Sequence, residues 1–375
     1  MNAPNAWIEL DFNVLRSNLE AARAARDPRV EIIQVVKANA YRHGMEAVAT
    51  HAFGCGVRWF VVARMDEALA LRAVVPGAHI LLLGAVWAAD VPELQANAII
   101  PVLVSEEQGH RLAAEARRHH LTLTCHAKID TGMGRFGLAW EGATQALGRL
   151  GAEGGLDVQG LCMHFASAGV GGESFAILQR QRFAQVEAAC RAQGMTGLFT
   201  HLSNSAAFVA HPDWDGDGVR LGILTYGYGG RQVGVRVQTR PFLQWKTQVV
   251  QIKYVPKGFP VSYLSTHVTP EPTWLATIDV GYSDGFSRLM SNKGKVLVAG
   301  RRAPVVGRVT MNFTVIDVGP QGGVKEGDEV VLLGTQGGES LWADEVARWC
   351  QTIPYEVLTS IRSQPRAAGA VSAYR

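Results

Sequence analysis

The chain has no run of five like charges, and its 375 residues carry a formal net charge of only +3. A nucleic-acid partner demands a dense basic footprint, so that class is excluded; Arg117-Arg118-His119-His120 reads as the solvated end of a helix. No stretch approaches the roughly eighteen uninterrupted apolar residues of a membrane span. The segment from Met1 to Ala6 has no basic stretch followed by an apolar one, so no leader is expected and the chain reads as cytoplasmic, with no membrane partner. Its five cysteines are odd in number and show no Cys-x-x-Cys spacing, which argues against a disulfide framework and a metal site and for buried thiols. Internal repeats and low-complexity segments are absent too. Charged residues make up 18% and hydrophobic ones 47%, a balance that gives a globular chain with a large core.

Two regimes fill that length. Up to about Leu224, short β-branched runs alternate with longer amphipathic segments, the rhythm of βα units around a parallel sheet. Eight runs are visible: Val30 to Val36, Val57 to Val62, His79 to Leu83, Ile99 to Val104, Leu121 to Ile129, Leu156 to Met163, Gly197 to Leu202 and Val219 to Leu224. Helical patterns such as Glu107 to Arg118 and Phe175 to Ala192 lie between them. An open doubly wound sheet is the competing topology, but it usually carries a Gly-rich phosphate loop after the first strand, where this chain has Lys37. Eight units point to a closed barrel. After Arg240 come paired apolar stretches broken by Gly and Pro: Leu243 to Val255, Trp274 to Val280, Lys295 to Val298, Val305 to Val309, Thr314 to Val318 and Glu329 to Leu333. One helix is expected there, Leu341 to Cys350. The fold class is therefore α/β, a (β/α)8 TIM-type barrel followed by a mostly antiparallel β-domain. The barrel spans 1–235 and the β-domain 236–375, joined through Gly227 to Arg240, with residues 1–10 free to pair with the β-domain instead.

In such a barrel the reactive groups stand at the carboxyl ends of the strands. Lys37 follows the first run, Lys128 and Asp130 close the fifth with Arg135 beyond, His164 ends the sixth, Asn204-Ser205 follows the seventh, and Gly222 interrupts the eighth. This is a ligand-binding constellation at one mouth. A lysine against an apolar wall is pushed toward its neutral form and can condense with an aldehyde; the alternative is a lysine that snorkels to solvent. Asn204-Ser205-Ala206-Ala207 is a cap-like turn whose N–H groups and hydroxyl could hold a phosphate, or simply cap a helix. At Gly222 no side chain blocks a second backbone approach. His164 is either a satisfied core imidazole or, with Arg220, part of the wall of a cofactor ring.

These blocks resemble the alanine racemases, fold-type-III enzymes that use pyridoxal 5′-phosphate (PLP). The resemblance runs through Val35-Val36-Lys37-Ala38-Asn39-Ala40-Tyr41-Arg42-His43-Gly44, Lys128 to Arg135, Asn204 to Ala207, Val280 to Gly285 and Gly307 to Met311, in family order. It implies that Lys37 carries PLP and that Tyr282, from the β-domain of a partner subunit, faces it across the substrate. It implies that Arg135 and the Met311 N–H bind the amino-acid carboxylate, with Asn312 beside them. Tyr41, Asn204, Ser205, the Gly222-Ile223 backbone and Tyr355 would hold the phosphate; His164 and Arg220 would line the ring, with Arg220 at the pyridine nitrogen. Lys128, a carbamate in some family members, would position Arg135. The partners implied are a small amino-acid substrate and a second copy of the chain, in a homodimer with shared active sites and no metal.

Inverting a stereocentre needs one base on each face of the reacting carbon, and Lys37 with Tyr282 would supply that pair. Arginine, with a pKa above about 12, can only donate to the pyridine nitrogen, which disfavours a PLP decarboxylase. A non-enzymatic PLP-binding protein would not need a β-domain, and a zinc-assisted lyase would need more ligands than His267 and Cys350. Two departures bear on substrate range. Arg42 stands where the family usually has glycine, and Asn312 where aspartate is common, so a racemase of broader range, serine included, is the nearest rival to one confined to L- and D-alanine.

Overall fold

The structure, a computed structural model, describes residues 5–169, 171–229 and 237–365. By contacts the chain divides into two compact units: Asn13–Ala40 with Met45–Arg240, and Met1–Phe12 with Tyr41–Gly44 and Pro241–Arg375. The expected boundary between 235 and 236 lies outside the described residues.

The first unit is a closed barrel of eight parallel strands. In order around it stand Glu31–Val35, Trp59–Val62, His79–Leu82, Ile99–Leu103, Leu123–Asp130, Leu156–Cys162, Phe199–Asn204 and Gly218–Leu221, and the last pairs with the first. The strands form where β-branched runs can be covered on both faces, which is why most of their residues are buried. Between them, helices show one buried stripe. In Glu106–Arg118 the residues Gly109, Leu112, Ala113 and Ala116 face inward; Ser105 caps the start by accepting from Gln108 N, and Arg117 and Arg118 favour the negative end. The eighth strand stops at Leu221, so Gly222 follows the strand rather than interrupting it.

The second unit is an antiparallel sheet in the order Arg301–Pro304, Lys295–Val298, Glu329–Gln336, Leu243–Val255, Thr273–Ile278 and Thr314–Gly319. Ala6–Leu10 adds to it along Leu243–Val255, with Ile8 opposite Trp245. Two expectations fail here. The run Val305 to Val309 is not a strand: Arg301–Pro304 takes the pairing, and Gly307, at φ +74, packs so tightly on Val261 and Ser262 that the extended alternation breaks. A second helix, Pro354–Ser360, follows Ala343–Cys350, with a proline in its first turn where a missing N–H costs nothing. Among the described residues no helix is long and apolar enough to cross a membrane.

Candidate active site

The first strand ends at Val35, and the chain then makes a left-handed turn over Lys37–Tyr41, with Ala38, Asn39 and Ala40 near φ 53° and ψ 47–51°. Tyr41 and Arg42 also keep positive φ. Such a run of L-residues is strained and persists only where its surroundings hold it. Here Glu67 accepts from Ala38 N at 2.6 Å, and Asn39 Oδ1 accepts from Met45 N at 2.7 Å. Burial pushes the Lys37 ammonium below its ordinary pKa, the positive charges of Arg135 and Arg220 add to that, and Glu67 opposes them.

Four more strand ends converge on the same mouth. Lys128 is 7% exposed and is also pushed down, by burial first and then by Arg135 and Arg220. Asp130 accepts from Gly132 N and Gly134 N, folding the loop that carries Arg135. His164 is held neutral, its pKa lowered to about 3 by burial and by the charges of Arg220, Lys128, Arg135 and Lys37. Asn204 caps Ser205–Ala210 by accepting from Ala206 N and Ala207 N, so those two N–H groups are taken. Ser205 Oγ accepts from Gly222 N and Leu224 N, both at 3.3 Å, while the Ile223 N–H between them carries no hydrogen bond among the described residues.

Arg220 is the centre of this arrangement. It is 4% exposed and has no carboxylate partner among the described residues. Its guanidinium donates to the carbonyls of His201, Met163 (2.6 Å) and Leu202 (2.9 Å), and it lies 2.9 Å from His201 Nδ1 and 3.4 Å from His164 Nδ1. Burial lowers its pKa from a value so high that it remains a cation.

Behind it stand two imidazoles that the sequence did not reveal as site residues. His201 Nε2 is 3.0 Å from His126 Nδ1, and both rings are buried. Arg220 can only donate, so His201 Nδ1 accepts, its Nε2 carries the proton, and His126 Nδ1 accepts in turn. Gly160 makes room for the pair, since a Cβ there would lie 2.6 Å from the His126 ring. Gln179 was also missed. Fully buried, it accepts from Ala166 N and donates to His164 O and Thr131 Oγ1, tying two active-site loops together. Only strand register and packing could have shown these roles.

The second unit holds the remaining predicted residues. Tyr41 and Tyr355 meet edge to face, ring centroids 5.8 Å apart, and burial raises the pKa of both hydroxyls. Arg42 Nε donates to Thr359 O at 3.3 Å. Tyr282 opens a short turn and lines a cavity of about 490 Å³ with Phe286, Met290 and Cys350. Its N–H binds Thr310 O, while Ser283 N binds Met311 O. A Cβ at Gly281 would lie 2.2 Å from Met311 O, so only glycine lets these segments approach. Met311 is 55% exposed, and its own N–H carries no hydrogen bond among the described residues. Asn312 Nδ2 donates to Ser283 Oγ.

One further tyrosine stands out. Tyr263 is 71% exposed on a turn where Ser262, Leu264 and Ser265 all have positive φ, and Ser262 Oγ donates to Arg308 O at 2.7 Å. Backbone strain around an exposed phenol marks a functional candidate, and no sequence signal announces it.

The residues present fit PLP. A desolvated amine suits its aldehyde, the carboxylate-free cation Arg220 suits a ring nitrogen that accepts, and the open Ile223 N–H beside Ser205 suits its phosphate. Among the described residues no cluster suited to a metal occurs.

Comparison with known proteins agrees. Residues 10–229 match the family model of the alanine racemase N-terminal domain, and residues 242–368 that of the C-terminal domain. An alanine racemase from Syntrophobacter fumaroxidans is 39% identical over 358 residues, covering 95% of each chain. One from Symbiobacterium thermophilum is 38% identical, covering 98% of each. The alanine racemase structure from Bacillus anthracis with bound L-Ala-P is 32% identical, covers 97% of each chain and superposes with a TM-score of 0.89. That from Bartonella henselae with covalently bound pyridoxal phosphate is 27% identical, covers 97% of this chain and 99% of its own, and has a TM-score of 0.85. The chain belongs to the alanine racemase family.

Proposed function

We propose that the chain is a PLP-dependent isomerase that interconverts L-alanine and D-alanine with one base on each face of the α-carbon. The observation that carries this reading is the buried Arg220, free of any carboxylate partner among the described residues and facing the mouth that holds Lys37. When bound, PLP supplies an electron sink that makes the α-proton removable.

The rest is the work of the chain. Lys37 would hold the cofactor and, once the substrate's amine has taken its place, its freed amine would move the proton on one face; burial pushes that amine toward the neutral form this needs. Arg220 would donate to the ring nitrogen and cannot give up its proton, which would favour racemisation over decarboxylation. Arg135 and the Met311 N–H take the substrate carboxylate. Tyr41, Tyr355, Ser205 and the Gly222-Ile223 backbone, through the open Ile223 N–H, would take the phosphate, with Asn204 shaping the turn and His164 lining the ring. Lys128 positions Arg135 and is the candidate for carbamylation, since a neutral amine is the form that adds carbon dioxide.

The opposite base is a tyrosine of the β-domain. Tyr282 is the candidate from sequence; the strained, exposed turn at Tyr263 favours that residue instead, with Tyr282 as a cavity wall. Because Tyr263, Tyr282 and Met311 are exposed, we place them against the barrel of a second copy in a homodimer. A domain boundary at 235/236 and a cytoplasmic setting belong to the same reading, the latter supported by five free cysteines.

The test is incubation of the PLP-loaded protein with L-alanine in deuterated water, followed by chiral analysis. D-alanine carrying deuterium at the α-carbon is expected. No D-alanine above a protein-free control would sink the assignment, and equal turnover of L-serine would shift it to the broader racemase.

A further inference from the structure

Ser283 links the turn of Tyr282 to the segment of Met311. Its hydroxyl lies 2.7 Å from Met311 O, its N–H lies 3.0 Å from the same carbonyl, and Asn312 Nδ2 lies 3.2 Å from its oxygen. A hydroxyl has one proton. Two acceptors face it, Met311 O at 2.7 Å and Asp284 Oδ2 at 3.4 Å; the nearer carbonyl takes the proton, so a group that bonds the hydroxyl oxygen itself must donate. Asparagine has the donor; an ionised aspartate has none. This fixes the orientation of the Asn312 amide by chemistry.

The geometry says what the pair does. Two peptide planes flank the Met311 α-carbon. Thr310 O, in the first, accepts from Tyr282 N at 3.0 Å, and Met311 O, in the second, takes both bonds from Ser283. With both planes pinned, the dihedrals of Met311 are set, and its unpartnered N–H points away from Thr310 O in a fixed direction.

We infer that Ser283 and Asn312 form a donor-matched pair that positions the Met311 N–H for the substrate carboxylate. They are positioning residues, acting through Met311, and the inference rests on the proposed role of that N–H. Asn312→Asp sets acceptor against acceptor: either the hydroxyl turns to the carboxylate and leaves Met311 O on the Ser283 N–H alone, or the two oxygens repel.

A double-mutant cycle on the PLP-loaded protein tests this. Asn312→Asp is expected to raise KM for L-alanine about fivefold, the worth of one hydrogen bond, with kcat nearly unchanged. Ser283→Ala should raise KM less, because the Ser283 N–H still holds Met311 O. In the Ser283→Ala background, Asn312→Asp should cost clearly less, since no hydroxyl remains to conflict with and only the like charge of Asp284 is left, and Ser283→Thr should behave as wild type. An Asn312→Asp penalty of the same size with and without the Ser283 hydroxyl overturns the pairing. The underlying carboxylate role has its own readout, slowed hydrogen exchange of the segment carrying the Met311 amide when L-alanine is added to wild type. Unchanged exchange there, with the coupling intact, would overturn the positioning for substrate while leaving the pair.

Discussion

At the barrel mouth the reactive groups are buried and crowded, whereas on the β-domain loops they stand in the open. Arg220 and Lys128 are 4% and 7% exposed; Tyr263, Met311 and Tyr282 are 71%, 55% and 43% exposed. The two regions prepare chemistry differently. Burial does the tuning in the barrel, pushing Lys37, Lys128 and His164 toward neutral forms. The β-domain fixes backbone instead, through strained turns at Ser262–Ser265 and close approach at Gly281, and leaves the side chains uncovered. On the proposed homodimer, such rigid loops around exposed groups would be the surface the second copy covers.

The comparison breaks most sharply at Lys37. Lys37→Ala is expected to remove borohydride-trappable PLP and to lower racemisation by on the order of a thousandfold. Trappable cofactor in that variant, found by mass spectrometry, would take the barrel mouth out of its role.

Shared sites give the next effect. Lys37→Ala and Tyr263→Phe are each expected to be nearly inactive alone. Subunits mixed under exchange conditions should regain about a quarter of wild-type activity, because half the dimers are mixed and each has one intact site. Recovery with Tyr282→Phe but not with Tyr263→Phe would return the base to Tyr282. No recovery with either would end the shared-site reading.

The smallest effect sharpens the tuning argument. His164 titrates at about 3 when folded against an ordinary 6.5 when unfolded. Between those values the unfolded state takes up a proton that the folded state refuses, so stability is lost as pH falls from about 6.5 toward 3. His164→Gln should flatten the fall in the urea midpoint between about pH 7 and about pH 5, where the unfolded imidazole takes up its proton. An unchanged slope would show that the other imidazoles lowered by burial, His126 to about 4 and His201 well below its ordinary value, dominate.

How far the chain could be read beforehand follows the same division. The eight barrel strands were legible because runs buried on both faces are continuous, and Lys37, Lys128, His164 and Arg220 were legible as positions at or near strand ends. His126 and His201 sat inside runs that read as core. Only register, with Val102 opposite His126 and Cys162 opposite His201, turns them into one chain of donors and acceptors. In the β-domain, Tyr263 was invisible because its strain is imposed by neighbours such as Arg308 rather than by a local sequence preference.

The turn from Ala38 to Arg42 has one more consequence, in the handedness of the residues themselves. Five consecutive L-residues there occupy the mirror image of the ordinary helix, at roughly 1–2 kcal/mol each. A D-residue finds that region relaxed. D-alanine installed at position 38 or 40 by semisynthesis would therefore sit in the conformation it prefers, so a protein that handles both hands of alanine contains a turn better suited to the hand its own backbone does not use.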